Sequence, residues 1–284
     1  MVACIDGSAD LRNLSQSERM RHVLRLLETR DYVAVAELSE TFAVSEVTVR
    51  SDLTELARQG LASRIRGGVR ALQSQSEVGF DLRLRLEVER KRAIARAAAE
   101  MVNEGEAVVL DASTTAYYLA LELRSKRELV VVTNGLLVAT ALADAPGILV
   151  LVTGGMLRLA GMSLVGDLGA DVLRTTRINK GFLGARGLSL DRGLMDLNPD
   201  EAKVKRAMAA ACEQVYGVID RTKWHRSALL SFVATEDVHG IVTDDGAPEA
   251  EVEAWRARGV EVTVVEADDP PRYRPRRGHV RSHR

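Results

Sequence analysis

The stretch at 45–68, SEVTVRSDLTELARQGLASRIRGG, restricts the possible folds more than any other part of the chain. Ser45 is a typical helix N-cap, because its hydroxyl can accept a hydrogen bond from an amide that the first turn leaves unpaired. A helix over 46–59 places three apolar residues on one face, which predicts that this face packs in a core. These residues are Val49, Leu53 and Leu56. Gly60 is suited to end the helix, since glycine readily adopts the left-handed conformation of helix C-termini.

The opposite face of this predicted helix is polar and suits a groove of DNA. A guanidinium can pair with guanine or a phosphate, hydroxyls can bond to either, and a small apolar group can contact a thymine methyl. Together with its first turn, the predicted DNA-binding face consists of Ser45, Val47, Thr48, Arg50, Ser51, Thr54 and Arg58. The next segment, LASRIRGGVR, predicts a hairpin with a turn at Gly67–Gly68, and its cations Arg64 and Arg66 join the face.

Two further helices are predicted before this stretch. The spacing of apolar residues predicts helices over 18–30 and 34–42, with the tight turn AVSE leading into the third helix. Three helices followed by a basic hairpin are the pattern of a winged helix-turn-helix domain, here over 18–70. The alternative is a small helical bundle in which Arg50 is merely solvated. Charge favours DNA binding, because 58–70 contains four arginines and no acidic residue in a chain of net charge −1.

The segment VAELSETFAVSEVTVRSDLTELARQGLASRIRGGV resembles the N-terminal domain of the DeoR family of bacterial transcriptional regulators. The resemblance is most specific in the run SEVTVRSDLTELARQG and in the arginine and glycines that follow it. It implies that double-stranded operator DNA is a partner of this chain. Ser51 stands where the family usually has a second arginine, so one contact is missing or is supplied by Arg58 or by the hairpin.

Length and composition indicate an ordinary globular chain with room for two domains. Its 284 residues can form a small and a larger core, and 46% apolar and 28% charged residues are typical of soluble proteins. The apolar runs are too short to span a membrane, and the N-terminus lacks the pattern of a signal peptide. Cys4 and Cys212 are far apart and predict neither a disulfide framework nor a metal site, which favours a cytoplasmic location. No cofactor is expected.

The second part of the chain predicts an α/β domain with a mainly parallel sheet. A long helix is predicted over 84–102, with Ile94, Ala98 and Met101 facing inward. After it, short apolar runs alternate mostly with helix-like segments, which is the pattern of βα units. The runs are EAVVL, ELVVVT, GILVLVT, KGFLG, VYGVI, GIVT and VEVTVVE. The predicted division is a flexible extension at 1–17, the head at 18–70, a linker at 71–79, a sensor domain at 80–267 and a basic disordered tail at 268–284.

Small, polar or charged residues follow five of these runs. In open parallel sheets the ligand lies beyond the carboxyl ends of the strands, so five such ends together predict a pocket. Glycine, asparagine and aspartate are also ordinary turn residues, so no single strand end carries the prediction. The five segments are Asp111 to Thr115, Asn134–Gly135, Gly154–Gly155, Ala185 to Gly187, and Asp220 to Lys223.

Two features indicate that the ligand is an anion. Ser113–Thr115 opens a predicted helix, where unpaired amides and the positive end of the helix dipole favour a phosphate, although the same residues can be a simple cap. The chain has only six lysines, and three of them, Lys203, Lys205 and Lys223, lie within 21 residues. Helical phase places Glu201 and Lys205 at the inward edge of their helix and Lys203 toward solvent. The first two residues form either a structural ion pair or part of the site.

Residues 80–267 resemble the effector-sensing domain of the same DeoR family. The matching motifs include Phe80–Arg83, KRAIARAAAEMV, the aspartate-to-threonine run after the first strand, and DRTK at 220–223. The resemblance implies a Rossmann-like domain related to ribose-5-phosphate isomerase, a phosphorylated sugar or related metabolite as effector, and a dimer or tetramer. Ala112 stands where glycine is usual, so the effector can differ.

The strand ends, the lysines and the resemblance together define a set of predicted effector-binding residues. They are Asp111, Ser113, Thr114, Thr115, Thr133, Asn134, Gly154, Gly155, Gly184, Arg186, Glu201, Lys205, Asp220 and Lys223. The chain is therefore predicted to be a repressor of a sugar-use operon, with a winged helix-turn-helix head and an α/β sensor domain. The alternative is a sugar-phosphate isomerase with an accessory DNA-binding head. That enzyme needs a base next to a carbonyl, and no spacing singles one out.

Overall fold

The structure is a computed structural model, and it describes residues 14–27, 30, 32–58, 62–70 and 79–267. Several sequence predictions lie outside these residues. They concern most of the extension at 1–17, the helix end at Gly60, the linker except Gly79, and the tail at 268–284.

The head contains the three predicted helices and the predicted hairpin, which confirms the winged helix-turn-helix. The elements are α1 (Gln16–Leu27), β1 (Tyr32–Ala34), α2 (Val35–Phe42), α3 (Glu46–Arg58), β2 (Ser63–Ile65) and β3 (Gly68–Arg70). The strand β1 was not predicted. It pairs with β3 at the edge of a three-stranded sheet of order β1-β3-β2, and such a short strand depends on a partner that is distant in the sequence.

The turn of the hairpin lies one residue earlier than predicted. Gly67 has a φ of +84°, whereas Gly68 already belongs to β3 and pairs with Ile65. A Cβ on Gly68 would lie 2.3 Å from the carbonyl oxygen of Val33 in β1. Glycine is therefore required at 68 by the close approach of β1, and at 67 by the turn itself.

One apolar cluster and one buried ion pair hold the head together. The Arg19 guanidinium of α1 donates to both carboxylate oxygens of Asp52 in α3, at 2.7 and 3.1 Å. This bidentate pair fixes the first helix to the third. The buried apolar residues of the cluster include Val23, Leu24, Leu27, Val33, Leu38, Phe42, Val49, Leu53, Leu56 and Val69.

The sensor domain begins with two helices where one was predicted. These are α4 (Phe80–Arg85) and α5 (Val88–Glu100), and between them Glu87 has a φ of +50°. Neither glycine nor proline marks this break in the sequence, so the spacing of apolar residues predicted one continuous helix. Ile94 and Ala98 are buried as predicted, whereas Met101 follows the end of α5 and is only partly buried.

The remaining elements alternate between strands and helices. In chain order they are β4 (Ala107–Leu110), α6 (Thr114–Leu123), β5 (Leu129–Thr133), α7 (Leu136–Leu142), β6 (Ile148–Val152), β7 (Met156–Arg158), β8 (Ser163–Val165), α8 (Asp167–Arg174), β9 (Ile178–Leu183), β10 (Gly187–Ser189), β11 (Gly193–Asp196), α9 (Pro199–Ala210), β12 (Cys212–Ile219), β13 (Leu230–Val233), β14 (Gly240–Asp244), α10 (Glu249–Arg256) and β15 (Glu261–Val265). Single 3₁₀ turns occupy Arg221–Lys223 and Thr235–Asp237.

The seven predicted apolar runs are the seven strands of one parallel sheet. Their order is β15-β14-β12-β9-β4-β5-β6, and each neighbouring pair is parallel. The chain starts at β4, builds outward to β6, and then crosses to β9 and builds outward in the other direction. The order therefore reverses between β4 and β9, and ligands of open α/β sheets bind at such a switch point.

Two small antiparallel sheets complete the domain and were not predicted. The strands β7 and β8 form a hairpin, and β10, β11 and β13 form a three-stranded sheet, with three or four residues in each strand. Runs this short carry little periodicity of their own. Among the residues that the structure describes, no helix combines the length and apolar character needed to cross a membrane.

Candidate functional site

The first candidate site is the outer face of α3 together with the hairpin of β2 and β3. The N-cap is formed as predicted, because the amide of Thr48 donates to the Ser45 hydroxyl at 3.2 Å. Thr48 is half-buried, and the side chain of Val47 is 73% exposed. The predicted residues that are exposed on this face and on the hairpin are Ser45, Val47, Arg50, Ser51, Thr54, Arg58, Arg64 and Arg66.

The arginines of this face are held by weak, exchangeable pairs. Arg50 pairs with Glu46 at 2.5 Å and Arg58 with Glu55 at 2.6 Å, each within one helical turn. Exposed pairs of this kind contribute roughly 0–1 kcal/mol, so a DNA phosphate or base can replace the carboxylate at little cost. Arg64 donates to the Thr54 hydroxyl at 2.9 Å, which joins the hairpin to α3 as one surface.

The second candidate site is a pocket at the carboxyl ends of β4, β9 and β12, where the strand order reverses. Five cationic side chains and three carboxylates contribute to its wall, so its charge favours an anion. The lining residues are Arg83, Lys91, Ala112, Ser113, Thr114, Thr115, Gly161, Gly184, Ala185, Arg186, Asp196, Glu201, Lys205, Val218, Asp220 and Lys223.

One wall of the pocket is the N-terminus of α6. The Ser113 hydroxyl accepts a hydrogen bond from the amide of Ala116 at 3.1 Å and caps the helix. Asp111, fully buried behind this turn, accepts from the amides of Ser113 at 3.1 Å and Gly184 at 3.0 Å. A Cβ on Gly184 would lie 2.5 Å from that of Ser113, so glycine allows the end of β9 to approach the helix. The first amides of α6 thus face a fixed, narrow space.

Lys205 lies in the pocket as its helical phase predicted, but its donors are directed at the protein. Its ammonium donates to the Gly184 carbonyl at 2.9 Å and to Asp196 at 2.8 Å, and it lies 3.1 Å from Asp111. Burial opposes the charge of Lys205, but the two aspartates outweigh burial and raise its pKa. Likewise, burial raises the pKa of Asp196, but the charges of Lys205 and Arg186 outweigh that effect and hold the pKa at about 2.

Lys223 and Asp220 form the opposite wall. The ammonium of Lys223 is 4.0 Å from the Asp220 carboxylate, beyond hydrogen-bond distance, and Asp220 accepts from the amide of Thr222 at 2.9 Å. Burial alone raises the pKa of Asp220, yet the charges of Lys223 and Lys91 outweigh it and hold the pKa at about 2. Lys223 is therefore a cation with capacity to bind a ligand.

Arg83, Lys91 and Asp196 line the pocket and were not predicted as site residues. Arg83 lies on α4 and Lys91 on α5, two helices for which no site residue was predicted. Burial and the nearby charge of Arg186 lower the pKa of Arg83 to about 9. The signal in the sequence was the pair of motifs Phe80–Arg83 and KRAIARAAAEMV, which were used only for the family resemblance.

Five predicted residues lie outside the lining of this pocket: Asp111 lies behind it, and the other four lie at or just after the ends of β5 and β6, near the hairpin of β7 and β8. The Asn134 amide group donates to the Leu164 carbonyl at 3.1 Å, and the Thr133 hydroxyl accepts from Gly135. Gly154 and Gly155 have φ values of +78° and +119°, and a Cβ on Gly155 would lie 2.4 Å from the carbonyl oxygen of Val165. These four residues position neighbouring chain segments.

Glu201 has other partners than the sequence suggested, whereas Lys203 is exposed as predicted. Glu201 is buried and accepts from the Ser163 hydroxyl, and it lies 3.3 Å from the Arg158 guanidinium. It is therefore not the ion-pair partner of Lys205. Lys203 is exposed, as its helical phase predicted, and pairs with Asp167.

Ala112 fits without strain at the position where the family resemblance led us to expect glycine. Its φ is not in the left-handed region, and its side chain is nearly buried beside Gly135. A Cβ on Gly135 would lie 3.0 Å from the Cα of Ala112. The missing side chain at 135 thus leaves the room that the methyl group of Ala112 occupies. Within the described residues, no three His, Cys, Asp or Glu side chains are grouped to hold a metal ion.

A winged helix-turn-helix head with an exposed basic face, joined to an α/β domain with a charged pocket at the switch point of its sheet, is the architecture of a DNA-binding transcriptional regulator with a sensor domain. Residues 19–75 match the DeoR-like helix-turn-helix domain, and residues 86–245 match the DeoR C terminal sensor domain. The chain belongs to the DeoR family of transcriptional regulators, as the sequence resemblance predicted.

Several similar proteins are named as transcriptional repressors. The chain is 35% identical over 263 residues to a putative aga operon transcriptional repressor of Escherichia coli O157:H7, covering 92% of this chain and 98% of that protein. It is 31% identical over 235 residues to the glycerol-3-phosphate regulon repressor of Escherichia coli strain K12, covering 83% and 93%. Among solved structures, ribose 5 phosphate isomerase A from Neisseria gonorrhoeae aligns with 49% of this chain and 54% of that chain, at 17% identity and a TM-score of 0.37.

Proposed function

We propose that this protein represses a sugar-use operon and releases its operator when a phosphorylated sugar or related metabolite binds the sensor pocket. The observation that carries the proposal is the pocket at the switch point of the sheet, where cations outnumber carboxylates beside the N-terminus of α6. The similarity to repressors named for the aga operon and the glycerol-3-phosphate regulon supports the same class of regulated genes.

The anionic group of the effector would lie between the first turn of α6 and Lys223. The amides and hydroxyls of Ser113–Thr115 supply directed donors, and Lys223 supplies charge. Arg186 lines the same space and adds a second cation. Lys205 would act indirectly, since its ammonium donates to Asp196 and to the end of β9 and pairs with Asp111. The remaining predicted pocket residues, such as Gly184 and Asp220, shape the wall around this group.

The DNA-binding face would place α3 in the major groove and the hairpin over the flanking phosphates. Arg50 and Thr54 are the exposed residues best placed to contact bases, and Arg66 lies in the turn of the hairpin. Proteins of this docking class bind two half-sites with two heads, so the active form would be a homo-oligomer in the cytoplasm. The edge strand β6 supports an oligomer, because it contains no charged residue and its Leu149 is 66% exposed.

The alternative function, a sugar-phosphate isomerase, receives less support. Its candidate bases Asp111, Asp220 and Glu201 all accept hydrogen bonds from protein groups, and the first two are anchored to backbone amides. These contacts favour a role of the three carboxylates in supporting the pocket wall. A coupled assay of isomerisation with ribose 5-phosphate and fructose 6-phosphate distinguishes the two functions, and turnover well above the blank would favour the enzyme.

The test of the proposal is a thermal-shift screen with phosphorylated sugars against the same sugars without phosphate. A ligand that binds only the folded protein increases the free energy of unfolding, by roughly 2.7 kcal/mol at a concentration 100 times its Kd, and so raises the unfolding midpoint. We expect a phosphorylated compound to raise the midpoint and its neutral counterpart to have no effect. The same compound should then release the protein from an operator duplex in a gel shift. Equal shifts with both members of every pair would contradict an anion-binding sensor.

A further inference from the structure

The short helix α4 contacts both functional parts of the molecule. Leu82 and Leu86 are buried in the apolar cluster of the head, together with residues of α1, α2 and α3. On the sensor side, the amide of Phe80 donates to the Ala160 carbonyl at 3.0 Å, and the Phe80 ring packs edge-on against Tyr117. One helix of six residues therefore belongs to the core of the head and to the surface of the sensor domain at the same time.

The same segment reaches into the anion pocket through Arg83. This guanidinium lies between the two buried leucines in sequence, yet it lines the pocket and also lies 5.5 Å from the centre of the Phe80 ring. The charged groups that face it are Arg186, Glu201, Asp196 and Asp111. Because Arg186 is a like charge, an anion placed between the two arginines would attract both of them.

A second pocket cation holds the end of α4. The ammonium of Lys91 donates to the carbonyl oxygens of Arg83 at 2.6 Å and Leu86 at 2.7 Å. These contacts cap the last turn of α4 and stabilise the bend that separates α4 from α5. Lys91 also lines the pocket and is close enough to Asp220, on the opposite wall, for its charge to influence that carboxylate. The ammonium that caps α4 is thus also within reach of a bound anion.

We propose that Arg83 and Lys91 bind the anionic effector and that α4 transmits its binding to the DNA-binding head. The inference rests on the proposed function, since it concerns regulation by the same pocket. An anion that draws the Lys91 ammonium toward the pocket competes with the carbonyl oxygens of α4, and its attraction for Arg83 pulls on the same helix. Because Leu82 and Leu86 are fixed in the head core, a displacement of α4 changes how the head is held relative to the sensor domain.

The energetic requirement is a difference in effector affinity between two arrangements of α4. An effector that binds both arrangements equally changes nothing, however tightly it binds. Coupling between two sites in regulatory proteins typically changes affinity by roughly 5–150-fold. We therefore expect saturating effector to lower operator affinity by a factor in this range, and the variants below to reduce that factor.

The experiment compares Lys91→Met with Lys126→Met in the full-length protein. Both lysines donate to a backbone carbonyl at a helix end, Lys126 to Val102 at 2.8 Å, but Lys126 is not part of the pocket. Methionine keeps the aliphatic stem and removes the ammonium. Operator affinity is measured by gel shift without any small molecule, and then with ribose 5-phosphate, inorganic phosphate and any phosphate ester selected by the thermal-shift screen.

We expect Lys91→Met to change operator affinity several-fold even without effector, because the cap of α4 is lost, and to reduce the response to saturating effector. Lys126→Met should match the parent in both measurements. Arg186→Met, which removes a pocket cation from outside α4 and α5, should raise the effector concentration needed for release without reducing the maximal release. Hydrogen exchange of the amides at 83–87 should increase in Lys91→Met and in the parent with saturating effector.

Separate results overturn the inference and the proposed function. If no phosphorylated compound binds the parent, the proposed function fails, and the effector-free comparison of the two lysine variants still tests α4. If a compound binds and releases the parent, but Lys91→Met shows parental operator affinity and full release at saturation, α4 does not transmit the signal. Unchanged exchange at 83–87 in both conditions would overturn the inference in the same way.

Discussion

The DNA-binding face of the head and the pocket of the sensor domain both rely on cationic side chains, but they are built in opposite ways. The face comes from one helix and one hairpin, and its arginines are exposed, with Arg50 and Arg58 paired to neighbours one turn away. The pocket collects charged groups from three helices and three strand ends, and several of them are buried in fixed networks. Partners on the face can be exchanged at little cost, whereas those in the pocket cannot.

The exposed face is suited to partners of variable geometry, whereas the pocket is suited to one ligand whose binding groups are held in place beforehand. Exposed arginines can adapt to phosphates and bases whose positions vary between DNA sites. A small anion must instead be taken out of water, so its donors and cations have to be in place before it binds. In the proposed pocket, Asp111, Asp196 and Lys205 would carry out that positioning, and the first turn of α6, Lys223 and the other pocket cations would contact the ligand.

The largest expected effect concerns the buried network of the pocket. Lys205→Ala leaves Asp111 and Asp196 buried without their cation, and breaking a buried ion pair in this way costs roughly 3–5 kcal/mol. Lys203→Ala, two residues away but exposed, should change stability by about 0.5 kcal/mol or less. Urea unfolding followed by tryptophan fluorescence measures both, since Trp224 and Trp255 are the only tryptophans and both lie in the sensor domain. Equal losses in the two variants would mean that Lys205 is not the centre of the network.

The same contrast explains what the sequence could predict. In the head, capping and the spacing of Val49 and Leu53 determine one helix, so its exposed face follows from local rules. In the sensor domain the seven apolar runs predicted the strands of the sheet, and the polar residues that follow them predicted a pocket. Which residues meet there depends on contacts between distant segments, so Arg83 and Asp196 were missed and Asn134 was included without lining the pocket. The break at Glu87 was not predicted because no local signal marks it. The end of α4 is capped by the side chain of Lys91, which donates to the Leu86 carbonyl from the following helix.

The second prediction concerns acid. The pKa values of Asp196 and Asp220 are held at about 2, below the ordinary value of 3.8, so both carboxylates favour the folded state when ionised. Their contribution is complete above the unfolded pKa and is lost as the pH falls from about 4 toward 2. Each shift corresponds to about 2 kcal/mol. Unfolding free energy from tryptophan fluorescence should therefore fall steeply over this range.

Asp220→Asn is the matched variant for this measurement. It should be less stable than the parent at pH 6 and should lose less stability between pH 4 and pH 2.5, because one of the two pocket carboxylates with a pKa of about 2 is gone. A parental slope in Asp220→Asn would show that other groups cause the acid sensitivity, and the preorganised charges of the pocket would then include fewer ionised carboxylates than the structure indicates.

The smallest expected effects lie on the exposed face, and they separate base contacts from phosphate contacts. Arg50→Ala should weaken binding to an operator duplex by roughly 1–3 kcal/mol if Arg50 contacts a base, with a smaller loss on random duplex. Arg66→Ala, in the turn of the hairpin, should weaken both duplexes alike and reduce the salt dependence by about one counterion. Arg174→Ala is the control, since this exposed arginine also pairs with an acid one turn away but lies in the sensor domain. Gel-shift titrations at two salt concentrations, on a duplex selected by the parent from a random library, measure all three. Parental affinity of Arg50→Ala on both duplexes would mean that the DNA contacts lie elsewhere on the head. The comparison between an adaptable DNA-binding face and a preorganised pocket would then no longer hold for this face.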